Sequence, residues 1–389
     1  MGEWKEYRLG DLIETNALSI NKNYPYTSIL YLDTGSITCN KIESYQCFDI
    51  NNAPSRAKRI VSDEDIIYSL VRPNQLHYGF IKSPQKNLVV STGFVTITCK
   101  KELLYPKFLY YYLTQNFITE YLHTIAEAST SAYPSLKPSD IESLEIEIPS
   151  LSEQKRIASI LGSLDDKIDL LHRENETLEA MAETLFRKWF IEDAKDEWEE
   201  GTLDDILSIK GGTTPSTKEP KYWNGKIAWT SPRDVTSLNG IYLFDTDRKI
   251  TEDGLKQISS GLLPAGTLLM SSRAPVGALA YAEIPLAINQ GYIAIIDNKG
   301  YSKEFIYLWL KLNMDLVRSY SNGSTFMEIS KSAFKALNIQ IPPQKNVEDF
   351  SKIIKPLFNK IKLNEQQIIN LGRIKNKILP KLMSNELKI

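Results

Sequence analysis

The sequence is short of the residues from which covalent frameworks and active sites are usually built. Only three cysteines, Cys39, Cys47 and Cys99, are spread through 389 residues. An odd, unclustered set argues against a disulfide framework and suits a reducing, cytoplasmic setting. The three histidines, His77, His123 and His172, stand apart from one another and from any cysteine, so none is at metal-ligand spacing. His172 falls in a helical stretch and reads as solvated; His77 reads as an ordinary surface or partly buried histidine before it reads as a DNA contact. No apolar run is long enough to cross a bilayer, and the opening "MGEWKEYRLG" lacks the apolar core of a secretory signal. Charge of one sign is missing too: 46 Lys and Arg stand against 48 Asp and Glu, for a net −2. That balance excludes a simple basic protein that coats DNA. The catalytic signatures sought are absent. There is no phosphate loop, no strand-following G-x-G-x-x-G, and no Asn-Pro-Pro-Tyr or Asp-Pro-Pro-Tyr run of the kind used for amino-methyl transfer. "KGGTTPST" (210–217) is glycine-rich but lacks the terminal Lys-Ser/Thr of a nucleotide loop. The carboxylates of "SDEDI" and "SLDDKI" read as turn and helix-surface charges rather than as an acid–base pair.

What is present is an ordinary globular composition, 42% hydrophobic and 24% charged, arranged as a long internal repeat. "EWKEYRLGDLIE" (3–14) aligns with "EWEEGTLDDILS" (197–208): Trp4 with Trp198, Leu9 with Leu203, Asp11 with Asp205. "TGFVTI" (92–97) aligns with "QGYIAI" (290–295), "FLYYYL" (108–113) with "FIYLWL" (305–310), and Ile148-Pro149 with Ile341-Pro342. So long a period is no solenoid. Each copy mixes short strands and short helices and ends in a long helical stretch. The predicted fold is therefore α+β, with a globular domain at 1–150, a helical region at 151–195, a second globular domain at 196–343 and a second helical region at 344–389.

The two helical stretches share a spacing. Ile157, Leu161, Leu164, Ile168, Leu171, Asn175, Leu178, Ala182, Leu185 and Trp189 step alternately by four and three, the spacing of a coiled-coil seam. Phe350, Ile354, Leu357, Ile361, Asn364, Ile368, Leu371, Lys375, Ile378 and Leu382 repeat it, with Lys375 as an intruder. Ser150 and Glu153 suit a capping box at the start of the first, and Pro356 is expected to kink the second. An antiparallel pairing with full overlap sets Ile157 against Leu382, Ile168 against Leu371, Leu178 against Ile361, and Asn175 against Asn364. Facing asparagines can satisfy each other and fix register. Charge agrees: residues 151–195 carry 7 basic against 10 acidic side chains, and residues 343–389 carry 10 against 4. A seam of this length measures roughly 50 Å at 1.5 Å per residue. It would serve as a ruler between two reading heads, since DNA half-sites lie about 34–36 Å apart or at multiples of that. By geometry alone it would serve equally well as a non-catalytic, two-headed scaffold for protein partners.

At this point the sequence resembles a known family, the specificity subunits of type I restriction–modification systems. "LSIKGGTTPSTKEPKYWNGKIAWTSPRDV" (207–235) is similar to the opening of their target-recognition domains. "LLMSSRAPVGALAYAEIPLAINQGYIAI" (268–295) resembles their central strands, and "SEQKRIASILGSLDDKI" (152–168) their first helical region. The first half departs, with "SLVRPNQLHYGF" (69–80) where "SSRAPVGALAY" stands in the second. The resemblance implies that each globular domain reads half of a split double-stranded DNA site. It implies helices that set the spacing and dock two methyltransferase subunits, with S-adenosylmethionine on those partners, none in this chain, and a restriction motor as a further associate.

Base reading needs planar bidentate groups, Arg for guanine and Asn or Gln for adenine; phosphate contacts need Lys, Arg and small hydroxyls. In the second half the candidates are Thr213, Thr214, Ser216, Lys218, Ser231, Arg233, Ser272, Arg273, Gln290, Ser324 and Thr325. In the first half they are Arg56, Lys58, Arg59, Arg72, Asn74, Gln75, Ser131 and Tyr133. The low overall basicity suggests that partner subunits share the phosphate contacts, which dominate affinity.

Overall fold

The repeat is built twice, strand for strand at its ends. The computed structural model describes residues 4–129, 133–195, 198–323 and 327–387; the expected contacts Ser131, Ser324 and Thr325 lie outside them. In the first copy, strand Lys5–Arg8 pairs antiparallel with Glu145–Ile148, with Lys5 opposite Ile148. In the second, Glu199–Thr202 pairs with Asn338–Ile341, with Glu199 opposite Ile341. A one-turn helix follows each first strand, Leu9–Leu12 and Leu203–Ile206. The same backbone bond then returns, Leu9 N to Leu144 O and Leu203 N to Leu337 O, at 2.8 and 2.9 Å.

The chain divides into two compact units, 1–167 with 371–389, and 168–370. These cut across the predicted segments, because each long helix serves both units. In the first unit, Ile66–Ser69 pairs with Phe94–Cys99 in one four-stranded sheet, and Ser28–Leu32 runs parallel to Leu88–Ser91 in another. In the second unit, Leu268–Ser271 pairs with Tyr292–Asp297 in a five-stranded sheet, and Trp223–Thr230 runs parallel to Leu286–Ile288 in a three-stranded one. Strands such as Ile66–Ser69 and Leu268–Ser271 are buried on both faces, as their unbroken apolar runs require.

The long helices span Leu151–Arg187 and Gln344–Met383. The Ser150 hydroxyl accepts from Glu153 N at 3.4 Å at the start of the first. The second runs unbroken through Pro356, which is exposed, so water can take the carbonyl the proline leaves without a donor. Within the second unit their pairing is antiparallel. Trp189 lies 5.8 Å from Phe350, ring to ring. Two to three turns back along the first helix and one to three forward along the second, Leu178 and Leu357 pack with the buried Ala182, Ile354 and Ile361. Farther along, Asn364 Nδ2 donates to Asn175 Oδ1 at 2.8 Å and to Glu174 Oε2 at 2.9 Å. Within the first unit, Ile157 and Leu161 share a core with Leu379, Leu382 and Met383. Lys375, the intruder in the seam, donates to Asp165 Oδ1 at 2.6 Å. Asp165 also accepts from Tyr111 Oη at 2.7 Å. Leu164 is half-buried on that stretch. Ile168 and Leu371, also half-buried, open the portions of the two helices that belong to the second and first units respectively.

Each sheet region is anchored to its helices by polar groups. In the first unit Gln154, fully buried, accepts from Tyr105 N and donates to Leu103 O and Pro149 O at 2.8–3.0 Å. In the second, Glu179 accepts from Tyr307 Oη at 2.7 Å and pairs with Lys311, which also meets Glu183, both at 2.9 Å. Burial opposes the charge on Lys311, but the carboxylates of Glu183 and Glu179 outweigh it and raise its pKa. Glu365 is buried and receives the backbone N–H groups of Ile241 and Tyr242 at 2.9 and 3.0 Å. Gly240 leaves this carboxylate its space, since a Cβ there would overlap it.

Two outcomes follow. Asn364 is 1% exposed, so Asn364→Ala should lower the unfolding free energy by about 1–3 kcal/mol, the cost of losing its bonds and leaving a void, while Asn175→Leu with Asn364→Leu recovers most of it; urea denaturation measures both. Burial, countered by its two backbone bonds and assisted by Glu179 and Glu283, pushes the Glu365 carboxyl from 4.5 to about 7. The folded state therefore holds this proton where the unfolded state has lost it, and stability from this group falls as pH rises from about 4.5 to about 7. Glu365→Gln should remove that slope from urea midpoints taken across the window.

Candidate nucleic-acid interface

In the second unit, six loops meet along one continuous chain of contacts. The segment 211–217 follows strand Ser208–Lys210. Gly212 lies so close to the Ile288 carbonyl that no Cβ would fit. Thr213 Oγ1 donates to Gln257 O at 2.7 Å and accepts from Ser259 N at 3.1 Å. Thr214 Oγ1 donates to Gln290 Oε1 at 2.7 Å. Next to Gln290, Asn289 N donates to Thr230 O, which ties in the turn carrying Arg233. Gly291 O accepts from Ser272 N, and Ser272 O from Ile329 N, at 2.8 and 3.0 Å. That brings the loop bearing Arg273 beside the loop bearing Glu328.

The expected contacts separate on this frame. Thr214, Ser216, Lys218, Arg233 and Gln290 are exposed and Arg273 half-exposed. These are the planar donors and hydroxyls that can leave their positions for DNA. Thr213 is committed to the neighbouring loop through Gln257 and Ser259. Ser231 caps the helix Pro232–Thr236, with Asp234 Oδ2 accepting from its N and Oγ at 2.8 and 3.2 Å. Ser272 departs from expectation. It is 3% exposed and its Oγ has no partner among the described residues, so its part is the backbone tie just described rather than a contact with DNA.

The first unit builds the corresponding loops with other residues. Leu70 N donates to Gly93 O and Leu136 N to Leu70 O, the same pattern as Ser272, Gly291 and Ile329. Arg72 then takes a left-handed backbone, φ 47°, as Ala274 does in the second unit at φ 54°. A short 3-10 turn, Pro73–Gln75, presents the exposed Asn74 and Gln75. The Arg72 guanidinium lies 5.4 Å from the centre of the Tyr133 ring, which is 62% exposed. An aromatic face holds a guanidinium without neutralising it. Arg56 and Lys58 are exposed, and Arg56 O accepts from Thr92 N, beside Gly93. Arg59 is an exception: half-buried, it donates from Nη1 to Ser19 Oγ at 3.2 Å and belongs to the fold. His77 too is structural, its Nδ1 2.5 Å from the Ile37 carbonyl. His172 is half-buried, with Nε2 3.4 Å from Asn239 Nδ2, rather than simply solvated.

Three groups at these loops escaped the sequence reading. Glu328 faces Arg273, with Oε2 3.8 Å from Nη1. Lys331 packs over Gly211. Arg248 stacks 3.5 Å from the centre of Trp223 and 5.3 Å from that of Trp229. Their spacing carries no motif; only the pairing of distant loops brings them to the site. Among the described residues no group of three His, Cys, Asp or Glu side chains is placed to hold a metal, and no helix is long and apolar enough to cross a membrane.

Two diverged copies of one lobe thus carry arginine and amide side chains on corresponding loops. Residues 1–180 and 195–373 match the type I restriction modification DNA specificity domain, and the chain belongs to that family. It is 26% identical to the type I restriction enzyme HindI specificity subunit of Haemophilus influenzae, over the full length of both. It is 35% identical over 174 residues to the MjaIX specificity subunit of Methanocaldococcus jannaschii, covering 44% of this chain and 40% of that one. In fold it is similar to the type I restriction–modification S subunit of M. genitalium, with a TM-score of 0.59, 19% identity, and 98% and 96% of the two chains covered.

The loop geometry sets two expectations. Gly212→Ala should displace the 211–217 loop and weaken DNA binding by the assembled complex while leaving its far-ultraviolet dichroism intact. Arg72→Ala and Arg233→Ala should each weaken specific binding by about 1–3 kcal/mol if they meet guanine, each acting on a different half-site; competition binding with one half-site randomised at a time distinguishes them.

Proposed function

We propose that this chain is the non-catalytic reading subunit of a type I restriction–modification assembly, with each lobe meeting one half of a split site in the major groove. The observation that carries this is the doubling: one loop framework occurs twice, on helices that continue from one unit into the other, with different side chains at its exposed positions. Lobes that met the same partner twice would have no reason to carry different side chains at corresponding exposed positions, whereas lobes that read different half-sites must. Family membership favours this reading over a general scaffold.

The helix pair would set the half-site spacing and dock two methyltransferase subunits. Those partners would bind S-adenosylmethionine and methylate adenine; a restriction motor subunit would complete the nuclease. The chain's own charge supports a division of labour. With net −2, it offers few surplus cations to phosphate, and cation–phosphate contacts make binding salt-dependent. The chain alone should therefore bind DNA weakly, and the complex tightly with a steep salt slope. Gel-shift titrations at several salt concentrations test this, and tight, salt-steep binding by the chain alone would overturn the division of labour. Mapping methylated adenines across a genome with and without the chain tests the function itself: a split sequence should be modified only in its presence.

A further inference from the structure

We propose that Arg273 and Glu328 form a matched pair that reads one G·C base pair in the half-site of the second lobe. This rests on the DNA-reading function proposed above. The two residues sit opposite each other in a backbone bridge between the loop after strand Leu268–Ser271 and the loop entering helix Lys331–Lys335. The hydrogen bonds that align the lobes make this position identifiable in the first unit. Leu70 corresponds to Ser272 and Leu136 to Ile329, so the equivalent bridge joins Val71 and Ser135. One lobe thus has an apolar residue and a hydroxyl where the other has opposite charges.

A glutamate on a DNA-facing surface needs a reason, because it repels phosphate. The guanidinium beside it loses the net charge that phosphate anchoring would use. The pair instead presents two donors and then an acceptor. Across the major groove, a G·C pair presents the guanine N7 and O6 acceptors and then the cytosine N4 donor. Arginine takes the first two and glutamate the third. An A·T pair offers a different order, and a reversed pair sets the cytosine amine against the guanidinium. Both side chains are accessible, at 37% and 46% exposed. The neighbouring bonds Ile329 N to Ser272 O and Asn322 N to Glu328 O, at 3.0 and 2.9 Å, fix their backbones.

The test is the sequence methylated by the reconstituted complex. Glu328→Gln, and Arg273→Val combined with Glu328→Ser, which installs the first lobe's residues, should each relax a single G·C position in one half-site by about tenfold or more. The other half-site is the internal control. Arg273→Lys, which keeps the charge and loses the planar fork, should relax the same position. An unchanged recognition sequence in all three variants would overturn the inference, as would relaxation at an A·T position. So would loss of methylation at every site in variants that still assemble, since that is the mark of a phosphate anchor. If the wild-type complex modifies no split sequence, the proposed function fails instead.

Discussion

The hydrogen bond from Asn364 to Asn175 is the constraint on which the arrangement of the second unit rests. In a helix pair built from aliphatic side chains, neighbouring registers differ little in buried area, and a slip by one heptad keeps an apolar seam. A buried amide removes that freedom, because any slip leaves Asn364 without a partner in an apolar layer. Glu174 accepts its second N–H, so both donors of the amide are used. The register fixed here places Trp189 over Phe350. In the first unit, the contact of Asp165 with Lys375 has the same antiparallel numbering, each pair summing to 539 or within one of it. Polar contacts therefore specify the pairing in both units, and apolar contacts supply most of the burial.

The attachments to the sheets follow from that register. Each carboxylate or amide that reaches out from a helix meets one place on its own unit: Gln154 the backbone near Tyr105, Glu179 the Tyr307 hydroxyl, Glu365 the edge strand beginning at Tyr242. Buried polar bonds are poor sources of net stability and good sources of orientation, since their geometry tolerates little rotation. A reading loop borne on a sheet held this way keeps its place on its helix. Positional accuracy is what base reading requires, because a bidentate contact is lost with small displacements.

Much of this was legible in the sequence. The heptad steps, the pairing of the two asparagines and the duplicated strand ends all depend on local periodicity and on residues that recur at a near-constant offset. The loops were legible as regions and much less so as individual residues. Arg72, Arg233, Arg273 and Gln290 were chosen by side-chain type and are exposed or half-exposed. Thr213, Ser231, Ser272 and Arg59 are of equally suitable types but are spent on caps, turns and buried ties. A hydroxyl beside a proline-led helix looks the same in sequence whether it caps the helix or faces a groove, and only the Asp234 bond decides it for Ser231. Glu328 and Lys331 were missed for the complementary reason: their relevance comes from loops distant in sequence.

The two lobes show how one loop framework carries different side chains. What the lobes share is backbone: Leu70 and Ser272 make the same bonds through N and O, and Arg72 and Ala274 take the same left-handed conformation. Bonds of this kind place no demand on the side chain. The framework is thus indifferent to what stands at 71 or 273, and the surface is free to vary there. Positions whose side chains complete the framework, such as Ser231 with Asp234, have no such freedom. Variation between the lobes should fall where the backbone alone does the structural work, and the first lobe's Val71 and Ser135 against the second lobe's Arg273 and Glu328 are a case of it.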